Sequence, residues 1–180
     1  IWEIRLPRIL SVIILGGALS VSGFLLQTFF NNPIAGPFVL GISSGAKLVV
    51  ALLMIYFLSR SISMGSAAMI IAAFIGSMLS IGFILLLARK IRNMATLLVG
   101  GIMIGYICSA VTDFVVTFAE DSDIVNLHGW SQGSFSGMSW SNVKVAALMV
   151  GITLILTFFL SKPIGAYQLG EMYAQSMGVN

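Results

Sequence analysis

Long apolar runs alternate with short polar segments along the whole chain. The runs occupy residues 9–30, 38–58, 64–88, 95–119 and 145–160. The first run contains no charged residue and, at a rise of about 1.5 Å per residue, is long enough to cross a hydrocarbon core of about 30 Å. None of the runs alternates as a strand does, and backbone groups in lipid must be paired within the protein. The pattern predicts an all-α fold, a polytopic transmembrane helical bundle with about five spans.

Small residues recur at every fourth position in three of these runs. They are Gly41 and Gly45, then Ala68, Ala72, Gly76 and Ser80, and then Gly101, Gly105 and Ser109. This spacing places each set on one helix face, where it allows neighbouring helix backbones to approach closely. One such pair would indicate little, because glycine and alanine are common in membrane helices. Three sets predict a compact core of packed helices.

Composition excludes a soluble domain, since 58% of the residues are hydrophobic and only 8% are charged. The net charge of +3 is spread between apolar runs and forms no basic face, which argues against a nucleic-acid partner. Cys108 is the only cysteine and His128 the only histidine. We therefore predict no disulfide, no metal site and no cofactor.

Charged residues interrupt the runs only at Lys47 and Asp113. Counted from the same membrane face, the two differ in depth by about 13 Å, which argues against an ion pair between them. A proton-coupled secondary carrier built on these two groups is an alternative reading. A membrane scaffold or an intramembrane enzyme is a weaker one, because no nucleophile and base pair appears within the runs.

The segment 41–48 superficially resembles a phosphate-binding loop but lacks the required glycine before Lys47 and hydroxyl residue after it. No other segment offers a nucleotide site. The chain is therefore predicted not to be an enzyme, and any energy from ATP must come from a partner subunit.

Four polar segments lie at the ends of the runs. Arg5 and Arg8 are three positions apart and suit either membrane-edge anchoring or the binding of carboxylates. Segment 31–37 contains two prolines and a glycine, which forbid a continuous helix, and it carries no charge. It is either a plain loop or the wall of a cavity.

The two remaining segments are 120–142 and 168–180. Trp130 and Trp140 of the first suit the lipid headgroup layer, in an ordinary loop or in a short re-entrant helix. The second contains a predicted helix at 171–177 that is too short to be stable alone in water. It must lie against a surface, either membrane lipid or a partner protein.

The segments 5–8, 31–46 and 169–180, in this order, make the chain resemble the permease subunits of bacterial iron-chelate, haem and cobalamin importers of the ABC type, the FecCD-type family. The resemblance implies a homodimeric, multi-pass protein of the plasma (inner) membrane. Its implied partners are an ABC ATPase subunit and an extracytoplasmic substrate-binding protein, and its implied cargo is an iron chelate. Members have about ten spans, so we expect this chain to be a fragment that lacks the first helix and the C-terminal half.

The resemblance also implies orientation and residue roles, whereas the lysines and arginines divide equally between the two faces. It places Arg5 and Arg8 outward, where they receive acidic residues of the binding protein, and places 89–92 and 168–180 in the cytoplasm. The implied gate residues of the pathway are Asn32, Pro33 and Met94. The implied ATPase-coupling residues are Leu169, Gly170, Glu171, Ala174, Met177 and Gly178.

Overall fold

The described part of the chain contains helices joined by turns and loops, and no strand. In the computed structural model, residues 1–58, 66–91 and 93–178 are described, those at 58, 66, 123 and 171 by their backbone alone. They form α1 Arg5–Phe30, α2 Ile42–Leu58, α3 Ser66–Ala88, α4 Met94–Val116, α5 Asp121–Gln132, α6 Trp140–Phe159, α7 Ser161–Gln168 and α8 Glu171–Ser176. The predicted all-α fold is confirmed. Positions 64–65, 92 and 179–180 of the predicted segments lie outside the described residues.

Within the described residues, four helices are long and apolar enough to cross a membrane: α1, α3 from Ala67 onward, α4 and α6. α2 is equally apolar but has only 17 residues, which is the lower end of the length that a span needs. It begins four residues later than its apolar run because the chain first makes a turn, in which Leu40 N–H bonds the Gly36 carbonyl at 3.2 Å.

The helices belong to two compact units. The first unit comprises Ile1–Pro33 and Ser134–Asn180 and contains α1, α6, α7 and α8. The second comprises Ile34–Gly133 and contains α2 to α5.

Glycine contacts join α2 to both of its large neighbours in the second unit. Gly41 has φ +71, and a Cβ there would lie 2.6 Å from the backbone nitrogen of Gly105 on α4. On α3, a Cβ at Gly76 would overlap the Gly45 carbonyl oxygen and lie 2.9 Å from Cα of Ala46. Gly45 and Gly76 of the predicted small-residue sets therefore lie where two helix backbones touch. Gly41 was expected on the same helix face as Gly45, but it lies one residue before α2 and touches α4 from the preceding turn.

Within the second unit, α5 packs against α2 and α3. Its Leu127 is 4% exposed and belongs to one apolar cluster with Val50 and Met54 of α2 and Ala72 of α3. Trp130 packs against the same cluster. Much of the long polar segment after α4 is thus a 12-residue helix held by one buried leucine and one tryptophan.

In the first unit, α1 packs against α6 and α7. Prolines lie in the first turns of two helices, Pro7 in α1 and Pro163 in α7. The first turn tolerates proline because its N–H groups have no partner within the helix. This explains why α7 forms although its sequence contains Pro163 and Gly165, two residue types that disfavour the interior of a helix.

Two further boundaries differ from the sequence pattern. α6 begins at Trp140, five residues before its apolar run, because polar residues occupy its first turn. α8 ends at Ser176, one residue before the predicted end, where the Met177 N–H still bonds the Tyr173 carbonyl at 3.1 Å.

We expect Gly76→Ala to destabilise the protein by about 1–3 kcal/mol, because its methyl group would overlap the backbone of α2. Gly82→Ala on the same helix is the matched control, since nothing lies within 4 Å of a Cβ there. Its higher helix propensity predicts a neutral or slightly stabilising effect. Thermal unfolding of the complete protein in detergent, followed by circular dichroism, measures both. Equal melting temperatures for the two variants would contradict the contact.

Candidate functional site

The two predicted docking arginines lie at the N-terminal end of α1 in different surroundings. Arg5 is exposed, whereas Arg8 is half-buried. Nη2 of Arg8 donates a hydrogen bond to the carbonyl oxygen of Ser136 at 2.6 Å. One turn further on, Ser11 is only 1% exposed. The pair therefore shares one helix end but not one environment.

A second contact joins the same parts of the first unit. The indole Nε1 of Trp140 donates a hydrogen bond to the carbonyl oxygen of Trp2 at 3.2 Å. The two rings pack with their centroids 5.5 Å apart. The chain before α1 is thus attached to the first residue of α6.

Segment 31–37 turns away from α1 through local hydrogen bonds. Asn31 adopts φ 47, and its N–H bonds the carbonyls of Gln27 and Thr28. The side chain of Gln27 donates from Nε2 to the carbonyl oxygen of Pro33 at 3.0 Å. Asparagine is one of the few residues that adopt this left-handed conformation readily.

The predicted gate residues fall in both units. Asn32 is half-buried and Pro33 exposed, and both belong to the first unit. Met94 is 42% exposed and belongs to the second unit, where it begins α4. The neighbouring Asn93 caps this helix, its Oδ1 accepting from the N–H groups of Ala95 at 2.9 Å and Thr96 at 3.3 Å. The gate itself stays a prediction.

The predicted coupling residues form a corner between two short helices. Leu169 and Gly170 connect α7 to α8, and Gly170 has φ 115 and ψ 151. α8 packs back on α7, and its Ala174 is 1% exposed. The corner therefore has an inner side, which Ala174 occupies.

The outer side of this corner is apolar. Leu169 is 68% and Met177 63% exposed, and Gly178 is also exposed. Glu171 begins α8, and its side chain lies outside the described part. Two large exposed apolar side chains flank a six-residue helix, which suits attachment to a partner surface.

A side-chain hydrogen bond ties this corner to the other end of α1. Nε2 of Gln168, the last residue of α7, donates to Oγ1 of Thr28 at 3.0 Å. Neither residue was singled out from the sequence. The only signal was that each is polar and lies near the end of an apolar run.

A cavity of about 250 Å³ lies beside the glycine contacts of the second unit. Gly45, Gly76 and Phe83 line part of it, together with Ser80 and Cys108. Its walls are almost wholly apolar. It is a gap next to closely packed backbones rather than a site with converging polar groups.

The two charges within the apolar helices remain apart. Lys47 on α2 is half-buried and Asp113 on α4 is exposed. Across the described ranges, no ion pair forms between them. This agrees with the difference in depth expected from the sequence.

Comparison with known proteins gives consistent results along the whole chain. The model of the FecCD transport family matches residues 1–180. The hemin transport system permease protein HmuU of Yersinia pestis is 37% identical over 182 residues, which cover 100% of this chain and 54% of the relative. The vitamin B12 import system permease protein BtuC of Klebsiella pneumoniae is 36% identical over 181 residues, 99% of this chain and 53% of the relative. The chain spans about half the length of these curated relatives.

A solved structure has the same fold. It is described as an inward-facing conformation of a putative metal-chelate type ABC transporter, and it aligns with a TM-score of 0.85. The alignment covers 99% of this chain and 56% of that one. At 22% sequence identity the likeness concerns the fold alone.

We expect Gly170→Ala to loosen the corner between α7 and α8, because φ 115 with ψ 151 is a conformation that essentially only glycine adopts. The strain is worth about 1–3 kcal/mol. Hydrogen exchange of residues 169–178 in the complete protein measures the loosening. Gly165→Ala, within α7 and with nothing near its Cβ, is the control and should leave the exchange unchanged. Identical exchange in the two variants would show that the corner does not depend on Gly170.

Proposed function

Since the chain belongs to the FecCD transport family, we propose that it is part of the permease subunit of an ATP-driven importer of a metal chelate. It is a multi-pass protein of the plasma (inner) membrane. The observation that carries the proposal is the match of the family model over residues 1–180. Long apolar helices with polar segments at their ends support it.

The proposed outer partner is an extracytoplasmic substrate-binding protein that meets the α1 end bearing Arg5 and Arg8. Guanidinium groups suit acidic partners because they can donate two parallel hydrogen bonds to a carboxylate. Exposed charges of this kind govern the association rate more than the final affinity. The exposed position of Arg5 supports this role.

The proposed inner partner is an ABC ATPase subunit that receives the corner of α7 and α8. A six-residue helix is too short to be stable in isolation. Its packing on α7, the buried Ala174 and the exposed Leu169 and Met177 support an element presented to another protein. The ATPase would supply the energy, and the permease itself would catalyse no reaction.

The proposed pathway lies within a homodimer and is narrowed by Asn32, Pro33 and Met94. The Gln27 side chain donates a hydrogen bond to the carbonyl oxygen of Pro33 and so fixes the loop that carries Asn32 and Pro33. This supports a constriction with a defined conformation. The proposed cargo is an iron chelate. The names of the relatives, which refer to hemin and vitamin B12, make haem and cobalamin the other cargoes to be tested.

We expect the double charge reversal Arg5→Glu and Arg8→Glu to abolish transport that depends on the binding protein, because an acidic partner would be repelled. Uptake of labelled ferric siderophore, haem and cobalamin into proteoliposomes that hold the complete importer measures this. Lys144→Glu is the control, since Lys144 is an exposed cation near the start of α6. Normal uptake by the double variant would remove the docking role. Uptake of none of the three cargoes by the unaltered importer would contradict the proposed function.

We expect the double substitution Glu171→Ala and Met177→Ala to prevent co-purification of the ATPase subunit, because α8 would lose its proposed contacts with that partner. Met78→Ala is the control, an exposed methionine on α3. Affinity purification from detergent-solubilised membranes gives the ratio of ATPase to permease. An unchanged ratio in the α8 variant would indicate that this corner lies against lipid instead.

A further inference from the structure

Arg5 and Arg8 have the same side chain, but they differ in burial and in hydrogen bonding. Across the described residues, the Arg5 side chain has no hydrogen-bond or ion-pair partner, and it is exposed. Arg8 is half-buried and already bonded to Ser136. Its Nε is fully buried, and no described group accepts from it. A guanidinium in this position has given up much of its contact with water.

Burial limits what Arg8 can offer to another protein. Paired binding of a carboxylate uses two N–H groups on one edge of the guanidinium plane. One of the three nitrogens of Arg8 is buried and another is bonded to the Ser136 carbonyl. Three N–H groups remain on Nη1 and Nη2. Because the Nε edge is closed, paired binding is left only at the Nη1–Nη2 end, where Nη2 already donates to Ser136. Arg5 faces neither obstacle.

Apart from the bond to Arg8, the described hydrogen bonds of segment 134–139 are local. The segment follows Gly133, which has φ 73, and contains Gly137. Its described internal bonds are short-range: the Ser136 N–H donates to Ser134 Oγ at 3.1 Å, and the Met138 N–H donates to the Phe135 carbonyl at 3.3 Å. Without an external bond, such a turn would be free to move against α1.

A second contact fixes the end of this segment. Trp140 donates to the Trp2 carbonyl and packs on its ring. The Arg8–Ser136 and Trp140–Trp2 contacts together form what we call the clasp. The clasp joins residues 1–8 to residues 134–140 at two points within the first unit.

We infer that the two arginines have separate roles: Arg5 is the charge presented to an acidic protein partner, and Arg8 is a positioning residue that holds segment 134–139 on α1. The partner half of this inference rests on the proposed function. The clasp half stands on the geometry of the first unit. Phe135, which is 40% exposed, would then sit at a fixed distance from Arg5 as part of one docking surface.

Lysine substitution separates the two roles. Lysine keeps the charge but not the planar fork of donors, so the exchange is not conservative where the geometry of the guanidinium matters. We expect Arg8→Lys to raise the hydrogen-exchange rate of residues 133–139 roughly tenfold, because a bond to a charged donor is lost. Arg5→Lys and Arg5→Gln should leave that rate unchanged.

The partner is tested in the same preparation, the complete importer in nanodiscs with its purified substrate-binding protein. We expect Arg5→Gln to lower the association rate constant and to flatten its dependence on ionic strength. Arg8→Gln, which removes the charge as Arg5→Gln does, should leave the salt dependence as it is and accelerate dissociation, because the docking surface is less ordered. Ser136→Ala is the control that retains the acceptor carbonyl, and it should preserve the salt dependence and the dissociation rate.

The outcomes separate the two claims. If Arg8→Lys leaves the exchange of 133–139 unaltered, the clasp is wrong. If Arg8→Gln flattens the salt dependence as Arg5→Gln does, the arginines share one role. Should Arg8→Lys not fold, Trp140→Phe removes the N–H donor of the second contact and part of the ring that packs on Trp2, and it should also raise the exchange of this segment. A binding protein that fails to bind even the unaltered importer contradicts the proposed function, while the exchange data still decide the clasp.

Discussion

Pairing of backbone polar groups within a lipid bilayer is the constraint on which this structure depends. No water is available in the hydrocarbon core, so each apolar segment must satisfy its own N–H and C=O groups as a helix. Helices formed in this way gain little by hiding apolar surface from lipid, and their association relies on close packing. The contacts of Gly41 with Gly105 and of Gly45 with Gly76 supply it.

The same constraint moves polar chemistry to the helix ends. In the described part of the first unit, the side chains that bond across distant parts of the sequence lie near the two ends of α1: Arg8 with Ser136 and Trp140 with Trp2 at one end, and Gln168 with Thr28 at the other. Large apolar side chains such as Ile13 and Leu19 are exposed between them, as contact with lipid permits. The middle of α1 therefore spans the distance between its two ends, and the residues at the ends form the specific hydrogen bonds to other parts of the chain.

The sequence predicted the features that follow from a regular pattern of residues. It did not predict the features that depend on one contact with a residue far away in the chain. The apolar runs and the four-residue spacing of small residues, as from Ala72 to Gly76, are regular patterns, and both were identified from the sequence. α7 was not predicted: its eight residues follow the last apolar run and include Pro163, which is accommodated in the first turn. The acceptor of Arg8 is a backbone carbonyl 128 residues away, and no side-chain pattern marks a carbonyl.

The two ends of α1 are mechanically linked because the helix between them is continuous. Arg8 and Thr28 are 20 positions apart, which at about 1.5 Å per residue corresponds to about 30 Å, the thickness of a hydrocarbon core. A tilt or shift of α1 as a rigid body must therefore act on both links together. If segment 134–139 and the corner of α7 and α8 bind different soluble partners, a movement of α1 connects the two binding surfaces. No chain of side-chain contacts across the membrane is then needed.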